Sequence, residues 1–154
     1  MDMLITKTNS SNTEKGNIMF TDAEFVSAIV SAAANNPEFV YPVEEDQNGT
    51  CFYFEPEYND EQAWHPAGFG SAPSCIIGHA LSSCGVTTEM ITNAGLQSEV
   101  IEDWKFRKFF KDNDIELSRE ALFFASVVQH AQDNSQPWGV AVEAGFGAWS
   151  IDIT

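Results

Sequence analysis

Residues 20–36 read FTDAEFVSAIVSAAANN, and this stretch sets the pattern on which the fold class rests. Thr21 and Glu24 stand at the S/T-x-x-E spacing, where a hydroxyl takes the backbone N–H three residues on and the carboxylate returns to the N–H of the cap. Phe20 precedes that cap and Phe25 lies four positions beyond it, as a hydrophobic staple requires. Phe25, Val26, Ile29, Val30 and Ala33 then make an apolar stripe at helical spacing, and Asn35, Asn36 and Pro37 end it.

The same signals recur from Ser74 onward. Ser74 is expected to cap CIIGHALSSC, with Gly85 as its stop, and a short helix is expected over 88–94 before Gly95. Ser98 is the expected cap of VIEDWKFRKFFK. Ser118 is that of REALFFASVVQHAQD, where Ala121, Leu122, Ala125, Val128 and Gln132 keep helical spacing. Pro137 suits the first turn of a last helix, PWGVAVEA, after which the glycine-interrupted tail GFGAWSIDIT is expected to return as a strand. Between the first helix and Ser74, FVYPV at 39–43 and TCFYF at 50–54 are β-prone runs about a turn with Asn48 and Gly49, which predicts a hairpin with Pro42 at an edge. Residues 55–73, punctuated by Pro56, Pro66 and Pro73, read as a long ordered loop. The fold class is therefore α+β: one helix-rich domain over 18–154 with a small antiparallel hairpin, preceded by a flexible segment at 1–17.

A chain of 154 residues with 44% hydrophobic side chains is long enough to bury one core. Its 23 acidic against 7 basic residues leave a net charge of −16, which repels phosphate backbones and anionic membranes, so neither direct nucleic-acid nor membrane binding is expected. No basic residue lies between Lys15 and Lys105, whereas Lys105, Arg107, Lys108 and Lys111 crowd together. Three cysteines, Cys51, Cys75 and Cys84, cannot all pair internally and form no Cys-x-x-Cys motif, which predicts a reducing, cytoplasmic setting. The start of the chain lacks the apolar run of a signal peptide, and nowhere do eighteen apolar residues run together.

Cys75 at a predicted helix start, with His79 one turn later, is the one arrangement resembling an activated thiol; with His65 and an orienting Asp133 it would make a small cysteine-dependent hydrolase or transferase. Against this, free cysteine is among the most buried residue types, and two groups on one helix leave little room for a substrate. No metal or cofactor is expected. Cys75, His79 and Cys84 match no common zinc spacing, Pro66 interrupts the alignment of Glu57, Glu61 and His65, and Leu117 and Phe123 stand where a calcium loop over 112–123 needs glycine and glutamate. Trp64, Phe69, Trp138, Phe146 and Trp149 fall in predicted loops or helix ends, where they either anchor a partner or fold back over the core.

The segments PSCIIGHALSSCGV (73–86) and VVQHAQDNSQPWGVAV (127–142) resemble a group of small actinobacterial and actinobacteriophage proteins of unknown function. The matching positions are Cys75, Ile76, Ile77, Gly78, Ala80, Leu81, Gly85 and Val86, then Gln129, Ala131, Gln132, Asp133, Trp138 and Gly139. The resemblance implies a phage-type accessory protein and carries no catalytic residues with it. Between Glu38 and Glu61 stand eight carboxylates and no cation. These observations predict action by binding: Glu44, Glu45, Asp46, Glu55, Glu57, Asp60 and Glu61, with Trp64 and Phe69, would occupy the basic, nucleic-acid-binding surface of a host protein and inhibit or modulate it. The cysteine enzyme and a small-molecule binder with its pocket under Trp64 and Trp138 are the alternatives, and a homo-oligomer stays open.

Overall fold

A computed structural model describes residues 19–42, 51–58, 66–97 and 99–153, the last five as backbone. Among these described residues six helices and two strands follow in the order α1 (Asp22–Asn35), β1 (Phe54–Glu57), β2 (Gly68–Pro73), α2 (Ile76–Ser83), α3 (Thr88–Asn93), α4 (Trp104–Asp112), α5 (Arg119–Asp133) and α6 (Trp138–Ile153). The domain is a helix-rich α+β fold whose described sheet is one antiparallel pair. No helix among the described residues is long and apolar enough to cross a membrane. The expected lead-in at 1–17 lies outside the described residues.

The first helix forms as its sequence dictates. Thr21 Oγ1 accepts the Glu24 N–H at 3.1 Å, Glu24 Oε1 accepts the Thr21 N–H at 2.9 Å, and the Phe20 and Phe25 rings meet at 5.8 Å. Phe25, Ile29, Ala32 and Ala33 turn inward, and full burial of a side chain such as Phe25 or Ile29 contributes about 1.5–3 kcal/mol. The core they enter is built by α5 against α6 and α1 against α2, with α1 also touching α5 and α6. Ser118 caps α5 as expected, taking the Ala121 N–H at 3.1 Å, while its own N–H donates to Asp22 Oδ1 at 2.9 Å and ties α5 to the start of α1.

Four helices stop in the same way. The residue after the C-cap is left-handed, with φ of 98° at Gly85, 73° at Gly95, 58° at Asp114 and 68° at Ser135. The next N–H then reaches back to a carbonyl of the last turn: Val86 to Leu81 (2.9 Å), Leu96 to Ile91 (3.0 Å), Ile115 to Phe110 (2.8 Å) and Gln136 to Ala131 (3.1 Å). In the first three pairs both residues are buried, so each stop also feeds the core. Glycine takes such a φ without strain; Asp114 and Ser135 do not.

Four expectations need correction. Residues 39–42 are not a strand, because the Phe39 and Pro37 carbonyls accept the Trp138 and Gly139 N–H groups at 2.9 Å each and so satisfy the open N-terminus of α6. The strand partners are instead Phe54–Glu57 and Gly68–Pro73, in the stretch read as a loop, with Phe54 opposite Pro73, Pro56 opposite Phe69 and a register irregularity between Phe54 and Pro56. Proline is tolerated at such an irregularity in a two-stranded sheet, where every strand is an edge. The predicted turn at Asn48 and Gly49 lies outside the described residues. The tail is no strand either: α6 continues to Ile153, and Gly145 lets it approach α5, since a Cβ there would stand 2.6 Å from Val128 Cγ2 and 2.9 Å from the Phe124 ring. Finally, α2 and α4 start after Cys75 and Asp103, not after Ser74 and Ser98; Ser98 itself is outside the described residues.

Candidate functional site

Where β1, the start of α2 and the last turns of α5 converge, the core carries polar atoms. Ser74 donates its N–H to the Tyr53 carbonyl at 2.9 Å, which continues the strand pairing past Phe54 and Pro73 and brings the Cys51–Tyr53 segment against the start of α2. Gly78 permits this approach, because a Cβ at that position would lie 2.0 Å from the Tyr53 carbonyl oxygen. Cys51 and Cys75 are both fully buried, and their Sγ atoms stand 2.7 Å apart.

Two glutamines of α5 satisfy this region. Gln129 accepts the Ile101 N–H at 2.8 Å, donates to Tyr53 Oη at 2.7 Å and approaches Cys51 Sγ at 3.5 Å. Tyr53 in turn donates its hydroxyl to the Glu99 carbonyl. Gln132 accepts the Ile76 N–H at 2.9 Å, capping α2 from a distant helix where the Cys75 thiol does not, and donates to Asp133 Oδ1 at 2.8 Å. The last turns of α5 thereby dock three separate segments through neutral amides, which avoids burying a charge.

Burial sets the protonation of the neighbouring groups. The Cys75 thiol is pushed well up by desolvation and by its contact with Cys51, and the Tyr53 hydroxyl is pushed up by desolvation and the same two cysteines. Desolvation also raises Asp133 from 3.8 to about 6, against the bonds from Gln132 and the Cys51 N–H and the pull of His130. His79 is lowered by desolvation, with Glu55 opposing, and its ring packs edge-on to Trp138 at 5.5 Å. A thiolate nucleophile needs partial exposure besides a stabilising helix N-terminus or cation. Cys75 holds the N-cap of α2 but is fully buried, and its sulfur faces Cys51 while its link to His79 is the helical N–H to carbonyl bond at 2.9 Å. His65 lies outside the described residues. Among the described residues no group of three or more His, Cys, Asp or Glu is placed to hold a metal.

The carboxylates have a different setting. Glu55 and Glu57 are exposed on β1, and neither forms an ion pair among the described residues. Glu44, Glu45, Asp46, Asp60 and Glu61, together with Trp64, lie outside the described residues. Phe69 is half-buried on β2 with its ring 5.4 Å from that of Phe52. Trp138 folds back into the core at 2% exposure, 4.9 Å from the Phe39 ring, and Phe146 stays 43% exposed against Phe124 at 4.8 Å. The sequence reading named Cys51 and Gln129 separately but missed Tyr53 and the convergence of the three, whose contacts across 24 to 78 positions leave no local spacing to recognise, and also Trp104, which is 58% exposed on an otherwise amphipathic α4. No family model, curated protein or solved structure matches the chain.

Proposed function

We propose that this chain acts by binding, with the carboxylates of β1 and those the sequence supplies on either side of it occupying a basic surface on another protein. The observation that carries the reading is where the cations go. Lys105 pairs with Glu99 at 3.2 Å, Lys108 with Asp112 at 2.8 Å, and Arg107 donates to the Glu102 carbonyl at 3.1 Å, so three of the four clustered cations are engaged around α4 itself. Glu55 and Glu57 stay exposed on β1 and form no ion pair among the described residues, in a segment without a single lysine or arginine. A surface built to hold phosphate is the complementary partner, because carboxylates accept bonds from the same arginines. The target in this reading is a host nucleic-acid-binding factor and the outcome its inhibition or modulation, because such a factor carries the arginine-lined surface that carboxylates fit.

The test is capture from a lysate with the intact chain and with a variant carrying Glu44→Lys, Glu45→Lys, Glu55→Lys and Glu57→Lys, at about 0.05 and 0.5 M salt. The expected result is a basic partner held by the parent at low salt, lost at high salt and not held by the variant. A partner retained by the variant and indifferent to salt overturns the reading.

A further inference from the structure

We infer that Cys51 and Cys75 form a disulfide site, at which oxidation cross-links the base of the β1–β2 pair to the start of α2 and leaves Cys84 as the free thiol. This does not rest on the acidic-face reading. The two sulfurs stand 2.7 Å apart, and a disulfide bond is about 2.05 Å long, so roughly 0.7 Å of movement separates contact from bond. The backbone fixes that proximity from both sides. The Ser74 N–H to Tyr53 carbonyl bond at 2.9 Å and the Phe54–Pro73 pairing close the strands just beside the cysteines. The third thiol has a different neighbour: Cys84 Sγ faces the Glu24 carbonyl at 4.0 Å.

The pairing is a statement about the fold, because the unfolded chain favours another. Loop closure is easiest for residues close in sequence, which in an unstructured chain makes Cys75 with Cys84 the preferred couple. In the folded chain the partner comes from 24 residues away on the other side of the strand pair.

The chemistry needs a two-electron oxidant, and a small-molecule disulfide of the glutathione type supplies it. One cysteine thiolate attacks that disulfide and releases one small thiol; the second cysteine then attacks the mixed disulfide and releases the other. The Cys51–Cys75 bond forms, the external sulfur–sulfur bond breaks, and the two cysteine protons end on the two released thiols. Both cysteines are fully buried, so exchange takes place as the strands close and before the sulfurs leave water. Once folded, the same burial shields the bond from reductants.

The full chain, reduced in denaturant, is refolded with oxidised and reduced glutathione, and the helical monomer or oligomer is recovered by gel filtration. It is then unfolded and blocked with N-ethylmaleimide in acid, so that burial no longer protects any thiol. Trypsin would leave all three cysteines on one peptide, since no Lys or Arg lies between Lys15 and Lys105, so chymotrypsin is used, which cuts at Leu81. The expected result is a Cys51-to-Cys75 linked peptide about 2 Da lighter than its reduced parts, with label at both sites falling about tenfold relative to Cys84. Cys84→Ser should leave that linkage unchanged. Label on both Cys51 and Cys75 after oxidative refolding overturns the inference, as does a mixture in which Cys84 is bridged as often as either.

Discussion

The last turns of α5 bury two glutamines and give both amides partners, whereas β1, whose preceding residue Tyr53 meets them in the core, exposes two glutamates that form no ion pair among the described residues. Gln129 and Gln132 are 1% and 0% exposed and join Ile101, Ile76, Tyr53 and Asp133. Glu55 and Glu57 begin one residue past Phe54, which is itself 1% exposed. The boundary between a region that specifies the fold and a region free to present charge thus falls within a single strand. A neutral amide satisfies a buried N–H without the desolvation that a carboxylate would suffer, so the side facing inward is amide and the side facing water is acid.

That contrast predicts a ranking of substitutions. Gly78→Ala should be the most damaging, costing more than about 3 kcal/mol or abolishing the cooperative transition in urea, because the new Cβ meets a backbone carbonyl and no rotamer relieves it. Gln132→Leu should follow, with a loss of about 1–3 kcal/mol in the same measurement, since the Ile76 N–H is left buried and unbonded.

Asp133 tests the boundary by pH. Its folded pKa of about 6 lies above the ordinary 3.8, so the native state holds the proton more tightly than the unfolded chain. The resulting stability is present below the unfolded value and is lost as pH rises through about 6. Asp133→Asn should therefore be more stable than the parent at pH 7, with the difference shrinking as the pH falls to about 4. Denaturation midpoints of the two proteins across that range check this, and parallel pH profiles would remove Asp133 as a titrating core group.

Ser135→Gly should raise stability by up to about 1 kcal/mol by relieving the left-handed backbone at the end of α5, measured as a shift in the thermal or urea midpoint. Smallest of all, Glu55→Gln with Glu57→Gln should stay within about 0.5 kcal/mol of the parent. A large loss there would mean that the strand carboxylates hold the fold together and would break the contrast.

Local signals were legible wherever a residue acts on its own turn. The Thr21–Glu24 box, the Ser118 cap, the stops at Gly85 and Gly95 and the Pro137 start each involve groups within a few positions of one another. The strand pair was not legible, because Pro56, Gly68, Gly70 and Pro73 carry poor strand propensity and pair only across an irregular register. The length of α6 was missed for a related reason: Gly145 and Gly147 read as breakers, yet Gly145 is the contact that lets α6 lie against α5. Of the candidate site, charge and its clustering were plain from composition, whereas Cys75 was read from its helix position rather than from its true neighbour, Cys51.

By itself the chain of residues determined where most helices begin and end and how negative the molecule is, since both follow from hydrogen bonds within a turn and from a sum of charges. Which thiol faces which, which carbonyls cap α6 and which amides hold α2 were decided only when distant segments packed together. Those contacts depend on the mutual placement of elements in the core, and no period of 2 or 3.6 residues encodes that placement.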